Sequence, residues 1–532
     1  MQSSMSDTPL LVSEIFSSGL SRFPDSKVYE YRGDRPTSER TFAETADEFA
    51  RLAAALTSLG VERDDLVASF CWNTGEHLAA YFAVPSMGAV LHTLNLRLHD
   101  DQLRYIVNHA RDRVIITSAD LVPTLERIIG ELPTVEHIIV KGGGAMRTPD
   151  SVAVHDYDEL LAAQEPAFAW PVLDERAAAI LCYTSGTTGN PKGVAYSHRS
   201  IYLHTLMLCS ASAMGFTEYD RLLPIVPMFH ANAWGWPHAA WLAGSGIILN
   251  GRFLSAPDIS TMIATLEPTC AAAVPTIWTS VAEHAAVSGD RLTSLRHAIV
   301  GGSTLSRSLA KRMRNLHGVR LTQGWGMTET SPLLTISEPP RDCAEDAALD
   351  FVIRSGRLIP GVFARVVDEE GRELPRDGVT IGELEVRGVT VAGSYFRADA
   401  DAAAKFRDGW LRTGDAGVID RNGWVEVRDR FKDGIKSGGE WISSVELENR
   451  LLEHPEVREV AVIGVPDPKW EERPLAIVVL ETDGSASAED LRGYLSDAVA
   501  RWAIPDRWEF IGELPKTSVG KIDKKSLRAT YA

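Results

Sequence analysis

Apolar and polar positions alternate along this chain with two different periods. Phe42, Ala46, Phe49, Ala53 and Leu56 recur every three or four residues, which is the spacing of one buried helix face. Thr41-Phe42-Ala43-Glu44 forms a capping box in front of them, and Gly60 sits where a helix ends in left-handed backbone. Short apolar runs at 67–71, 114–117, 137–140 and 180–183 predict strands, separated by helical patterns. Such alternation implies parallel sheets covered by helices. The theme returns at 297–300, a strand that ends in Gly301-Gly302 and leads to a helix over 306–316. After about residue 360 the texture changes: short strands at 362–367, 382–387 and 424–427, with glycine and charged turns, predict a small β-rich subdomain. Beyond a charged junction, a helix over 445–453, strands over 459–465 and 475–480 and a helix over 488–500 predict a compact α+β unit. The chain thus reads as α/β, with a large part at 1–428 of layered α/β subdomains plus the β-rich one, and a small C-terminal domain at 429–532, the boundary falling at Asp429.

Composition narrows the classes. A chain of 532 residues is too long for one core and should hold two or more domains. An apolar share of 45% and a charged share of 24% are those of a soluble globular protein. A net charge of −18 argues against a nucleic-acid partner held on a basic surface, but says little about a small anion. The five cysteines are widely spaced and contain no Cys-x-x-Cys pair, so a disulfide framework or zinc site is not expected and a reducing, cytoplasmic setting is the simplest. No signal peptide is expected at the N-terminus. The most apolar long stretch, 78–94, is broken by Pro85, Gly88 and His92 and is too short to span a bilayer.

Chemistry concentrates in a few segments. Tyr183-Thr-Ser-Gly-Thr-Thr-Gly-Asn-Pro-Lys-Gly-Val194 is a loop of small residues closed by Lys192. Small residues let main-chain N–H groups approach a phosphate, hydroxyls add donors or a metal ligand, and a lysine adds compact positive charge. It is not a Walker A loop, because Pro191 stands where the second glycine would be needed. An apolar strand precedes it and an extended stretch at 193–197 follows, giving strand, loop, strand. Gly301 and Gly302 either lie beneath a flat ring or make an ordinary turn. Gln323-Gly-Trp-Gly-Met-Thr-Glu-Thr-Ser-Pro332 offers the Trp325 ring to a base, and Thr328 and Glu329 as a hydroxyl and a hard carboxylate suited to Mg²⁺. Thr413-Gly-Asp415 places a carboxylate after a tight turn, able to accept from both hydroxyls of a ribose. Arg430, Lys432 and Lys436 precede Gly438-Gly439-Glu440-Trp441, and Pro515-Lys-Thr-Ser-Val-Gly-Lys521 lies further on.

These blocks, in this order, resemble the adenylate-forming superfamily of acyl-CoA synthetases, luciferases and peptide-synthetase adenylation domains, over nearly the whole chain. The resemblance implies that Thr184, Ser185, Gly186, Thr187, Thr188, Gly189 and Lys192 hold the phosphates of ATP, with Thr184 and Glu329 facing Mg²⁺. It implies nucleotide contacts from Gly301, Gly302, Gln323, Gly324, Trp325, Thr328, Arg430, Lys432, Lys436 and Trp441, and ribose binding by Asp415. Lys521 matches the catalytic lysine, Asp429 the hinge of a mobile small domain, and Gly438, Gly439 and Glu440 the path of coenzyme A. The superfamily usually has tyrosine where Trp325 stands. The segments Pro227-Met-Phe-His-Ala-Asn-Ala-Trp234 and 435–444 look most like the medium- and long-chain fatty acyl-CoA synthetase branch, in which Trp234 would gate the acyl tunnel and His230 would lie beside the carboxylate, unless it is merely structural. The expected function is ATP-dependent activation of a fatty acid and its transfer to coenzyme A, with a short thioether or aryl acid as the alternative. A homodimer and a transient contact with a membrane surface are compatible with that function. Two other classes compete: a luciferase-like oxygenase, and a non-catalytic acyl-nucleotide sensor, against which Lys521 and Glu329 argue.

Overall fold

The computed structural model describes residues 3–184, 190–340, 342–397, 404–431, 433–437, 440–496, 498–516 and 522–531, without the side chains at 345, 346, 436, 440 and 441. Three sheets organise the chain. The first has seven strands, and its middle runs parallel through Val114–Ser118, Leu66–Phe70, Val90–Thr93 and Ala178–Tyr183. Its last pair is antiparallel: Ala178–Tyr183 returns as Gly193–Ser197, so the phosphate-type loop is the connection of a hairpin at the sheet edge. The apolar stretch at 78–94 divides into two elements, the buried helix Gly75–Met87 and the strand Val90–Thr93, with Gly88 in left-handed backbone between them.

The second sheet carries the nucleotide-side motifs. Arg221–Pro224, Cys270–Ala273, His297–Val300 and Leu321–Gly326 run parallel. The strand Leu321–Gly326 then changes partner. Its first half pairs with His297–Val300, and from Gly324 onward it pairs antiparallel with Leu333–Ile336. The β-rich strands expected beyond residue 360 are therefore hydrogen-bonded into the same 14-stranded sheet, through Gly356–Leu358 and Trp424–Arg430. A β-carbon on Gly324 would lie 3.1 Å from Leu333 Cδ1, so the strands cross closely here.

The small C-terminal unit is a five-stranded sheet with helices Ser444–Leu451, Ala488–Ser496 and Lys524–Tyr531. Its central hairpin is longer than the pattern predicts. Val457–Asp467 and Glu471–Leu480 pair out to Asp467 opposite Glu471, because cross-strand hydrogen bonds carry the polar ends that hydrophobic periodicity misses. The helix expected over 488–500 stops at Ser496, and Arg501–Ala503 forms a separate short turn. Asp429 lies near the end of the strand Trp424–Arg430, paired with Ala416. Its buried carboxylate accepts from the Ser444 main-chain N–H and hydroxyl, both at 2.7 Å, at the start of the first helix of the C-terminal unit. The Lys524 ammonium donates to the same hydroxyl at 2.6 Å and pairs with Glu448 at 2.7 Å. Among the described residues no helix is long and apolar enough to cross a membrane.

The helix Phe42–Ser58 starts on the expected capping box, with Thr41 and Glu44 exchanging side-chain and main-chain bonds. It buries Phe42 and Phe49 against Trp241 of the helix Trp236–Ala243. Phe42 stacks on that indole at 4.0 Å between ring centroids, and Phe82 closes the cluster at 5.2 Å. This contact fastens the first layer of the large part to the helix that follows the Trp234 segment. Trp241→Ala is expected to lower stability by about 3–5 kcal/mol, the usual cost of emptying a large aromatic site. A shift of the first unfolding transition in urea, followed by circular dichroism, measures it.

Candidate active site

At one end of the site stands the base of the hairpin loop. The Thr184 N–H donates to the Lys192 carbonyl at 2.9 Å, and the Lys192 N–H donates back to the Thr184 hydroxyl at 3.2 Å. Tyr183, the last residue of the strand, is fixed by a 2.6 Å hydrogen bond between its hydroxyl and His109 Nδ1. Gly193 has no room for a side chain, since a β-carbon would lie 3.1 Å from the Tyr183 ring. Lys192 and Glu329 meet through a residue the motifs do not include. The Tyr395 hydroxyl donates to Glu329 Oε1 at 2.6 Å, and Lys192 Nζ lies 5.3 Å from the centre of the same ring. Burial, reinforced by the Glu329 carboxylate, pushes the Tyr395 phenol well above its ordinary range, so it remains a donor. Tyr196 supports the neighbouring turn, donating to the Thr328 carbonyl at 2.5 Å. Neither tyrosine belongs to a run that sequence alone singles out: Tyr395 follows a plain Ala-Gly-Ser, and only the fold brings it to Glu329.

At the other end lies Asp415, almost fully buried. Its Oδ2 accepts from Trp325 Nε1 at 2.8 Å, and its Oδ1 pairs with Arg430 Nη1 at 3.0 Å. Its main-chain N–H donates to the Thr413 hydroxyl at 3.0 Å, which holds the turn. The Trp325 indole, half-buried against the core, is thereby fixed by its edge. The Gln323 side-chain oxygen accepts from the Leu305 N–H at 2.8 Å. Gln323 also lines a cavity of about 370 Å³ that runs, past Val427, to the helix Ser444–Leu451 of the C-terminal unit. Arg307 and Glu453 face each other across this seam at 3.8 Å.

Between the two ends lies an unusual turn. Ala231, Asn232, Ala233, Trp234 and Gly235 all have positive φ, from 44° to 77°. Left-handed backbone costs non-glycine residues energy, and strain of this kind collects at functional sites. Asn232 tolerates it best and is held by the Cys182 thiol at 2.9 Å. His204 packs beneath Gly235; burial pushes its imidazole down to about 3, so it is neutral there at pH 7. The turn sets the Trp234 indole on Gly301, where a β-carbon would lie 2.7 Å from Cη2. Gly301 is therefore beneath a flat ring, and that ring is the indole; Gly302 follows in left-handed backbone. His230, half-buried, leads into the turn, its carbonyl accepting from the Ala233 N–H at 3.2 Å. Ser185, Gly186, Thr187, Thr188, Gly189, Lys432, Gly438, Gly439 and Lys521, with the side chains of Lys436, Glu440 and Trp441, lie outside the described residues.

Among the described residues no three His, Cys, Asp or Glu side chains cluster to hold a metal. The donors at hand are one Glu329 carboxylate and the Thr184 hydroxyl. That set suits Mg²⁺, which is usually held by one or two carboxylates together with substrate phosphates.

Comparison with known proteins gives this geometry its class. Residues 16–396 match the AMP-binding enzyme family, and residues 446–521 match the AMP-binding enzyme C-terminal domain. The 3-methylmercaptopropionyl-CoA ligase of Ruegeria pomeroyi is 40% identical over 98% of this chain and 97% of its own length. The long-chain-fatty-acid–CoA ligase of Thermus thermophilus is 43% identical over 92% of this chain and 90% of its own. Among solved structures, an anthranilate CoA ligase in complex with anthranoyl-AMP superposes with a TM-score of 0.89 at 28% identity, covering 99% of both chains. ATP-bound MatB from Rhodopseudomonas palustris gives 0.84 at 27% identity, over 98% of this chain and 99% of its own. The chain belongs to the AMP-binding, adenylate-forming enzyme family. Within that family it is an acid–thiol ligase, an ATP-dependent acyl-CoA synthetase of the fatty acyl-CoA synthetase branch.

Tyr395→Phe removes a hydrogen bond to a charged group without emptying the site. Such bonds contribute about 1.5–3 kcal/mol, and the KM for MgATP is expected to rise about tenfold or more while the KM for the acid stays put. Initial rates of pyrophosphate release across ATP and acid concentrations check this.

Proposed function

We propose that this enzyme activates an unbranched apolar carboxylic acid of medium to long chain as its acyl-AMP and then transfers the acyl group to coenzyme A. The observation that carries the reading is the pairing of two polar clusters in one site: Lys192, Tyr395 and Glu329 at the hairpin loop, and Trp325, Asp415 and Arg430 brought together from three strands. The adenine stacks on Trp325 and the ribose hydroxyls bond Asp415. The hydroxyls of Ser185, Thr187 and Thr188, with Lys192, hold the β- and γ-phosphates. Mg²⁺, when bound by Glu329 and Thr184, neutralises phosphate charge.

In the first half-reaction a carboxylate oxygen attacks the α-phosphorus. The bond from that phosphorus to the bridging oxygen breaks, and pyrophosphate leaves. Lys521 lies against the attacking carboxylate and the α-phosphate, and His230 orients the acid. Positioning and charge neutralisation supply most of the acceleration, as in phosphoryl transfer generally. In the second half-reaction the thiol of coenzyme A attacks the acyl carbon, the bond to the AMP oxygen breaks, and AMP leaves. The C-terminal domain, 429–532, turns about Asp429 between the two steps, so that the Gly438–Gly439–Glu440 loop lines the thiol path once Lys521 has withdrawn. Trp234 on Gly301 acts as the acyl gate.

The Ruegeria relative supports a second acid class. That relative is named for a short thioether acid, and a thioether sulfur fills apolar space much as a methylene does. Pyrophosphate release with C2–C18 straight-chain acids, 3-(methylthio)propanoate and benzoate, with and without coenzyme A, separates the classes. A medium- or long-chain optimum supports the first reading, and preference for the thioether over pentanoate, its near-isostere, selects the second. Lys521→Ala is expected to lose acyl-AMP formation by orders of magnitude, while thioester formation from supplied acyl-AMP is largely kept. Equal loss of both half-reactions would remove Lys521 from the chemistry.

A further inference from the structure

One cation in the site has no role so far. Lys405 precedes the short strand Phe406–Arg407, which pairs antiparallel with the start of Trp410–Ile419. Its main-chain carbonyl accepts from the Arg412 N–H at 2.8 Å, so the residue is anchored across the hairpin. Its side chain folds inward along that hairpin. The ammonium lies 3.4 Å from the Arg412 carbonyl and 3.2 Å from the point where a β-carbon on Gly414 would be. Gly414 has φ +73°, and the lysine occupies the space its missing side chain leaves beside Asp415.

The charges that act on this ammonium outline the site. Glu329, Glu383 and Asp415 attract it and Arg430 repels it, while burial, the largest influence, lowers its pKa below the ordinary lysine value. Each of those carboxylates already holds a partner of its own: Glu383 accepts from Arg412 Nε at 3.0 Å, Asp415 from Arg430 and Trp325, and Glu329 from Tyr395. Among the described residues this half-buried ammonium has one long carbonyl contact, and an anion within reach would supply the charge-assisted bonds that burial makes valuable.

The order of groups in a nucleotide identifies the anion. Ribose, α-phosphate, β-phosphate and γ-phosphate follow in line. If Asp415 receives the ribose and Glu329 the metal-bearing end, as the proposed function has it, the group between them is the α-phosphate. We propose that Lys405 is a phosphate-binding residue that contacts the α-phosphate of the nucleotide. Because it sits on a hairpin that also carries Asp415, it holds the AMP moiety through both half-reactions, whereas Lys521 serves only the first. It belongs to none of the motifs that define the site.

The test uses the α-phosphate as the only variable. Calorimetric titration of the full chain with AMP and with adenosine compares wild type, Lys405→Met and Lys405→Arg. Lys405→Met is expected to weaken AMP binding about tenfold or more while leaving adenosine within twofold, and Lys405→Arg to restore AMP to within a few fold. Unchanged AMP affinity in Lys405→Met would overturn the proposal, as would equal weakening of adenosine, which marks a structural role. A wild type that binds adenosine but gains nothing from the phosphate would also overturn it. A wild type that binds neither compound would overturn the nucleotide-site reading beneath it as well, so the two failures are told apart. Circular dichroism melts of the variants accompany the titrations; where Lys405→Met is unstable, Lys405→Gln, which also removes the charge, is read by the same criteria.

Discussion

The buried carboxylate of Asp415 is the fixed point of the nucleotide side. An anion removed from water must be matched by donors, or its burial destabilises the fold. Here the donors come from two other strands: Trp325 from Leu321–Gly326 and Arg430 from Trp424–Arg430. The ends of two strands are thereby fastened to the middle of a third, Trp410–Ile419. Successive strand residues face opposite sides, and the next residue back from Arg430 uses that alternation. Asp429 turns the other way and receives the start of the helix Ser444–Leu451. One peptide step thus separates the group that steadies the Asp415 carboxylate from the group that ties on the C-terminal unit.

Much of the scaffold is legible in the sequence, because it rests on local rules. The capping box at Thr41 and Glu44, the strand–loop–strand at 178–197 and the strand ending at Gly301 each follow from short-range pattern and appear where expected. What is not legible depends on distant partners. Trp325 and Asp415 are ninety positions apart, and neither residue type announces the bond between them. Tyr395 and Lys405 stand in unremarkable stretches and gain meaning only when the hairpins fold inward. The merging of the β-rich strands with the parallel sheet happens at Gly324, where one strand changes partner, and a glycine there reads as loop in a linear pattern. The left-handed run at 231–235 has only Asn232 and Gly235 as local hints, since alanine and tryptophan ordinarily disfavour it.

The chain carries a net charge of −18, yet its ligands are a triphosphate, a carboxylate and a phosphorylated thiol carrier. The two are compatible because charge acts locally. In physiological salt, exposed charges are screened beyond about 8 Å. Lys192, Arg430 and Lys405 surround the line from Glu329 to Asp415. Under the proposed function it is these nearby cations, and not the net charge, that meet the phosphates.

The left-handed run under Trp234 also has a consequence for speed. Positive and negative φ are separated by a sterically forbidden zone. The five residues cannot drift into ordinary helical backbone by small steps; they would have to cross together. The turn therefore behaves as a stiff bracket, and the indole leaves Gly301 by rotating about its own side-chain bonds. Side-chain rotations are completed in picoseconds to nanoseconds where there is room, whereas loop rearrangements take nanoseconds to microseconds. If Trp234 is the acyl gate, as proposed, its opening is then set by how readily a half-buried indole packed on the core can rotate, and not by refolding of the turn that carries it.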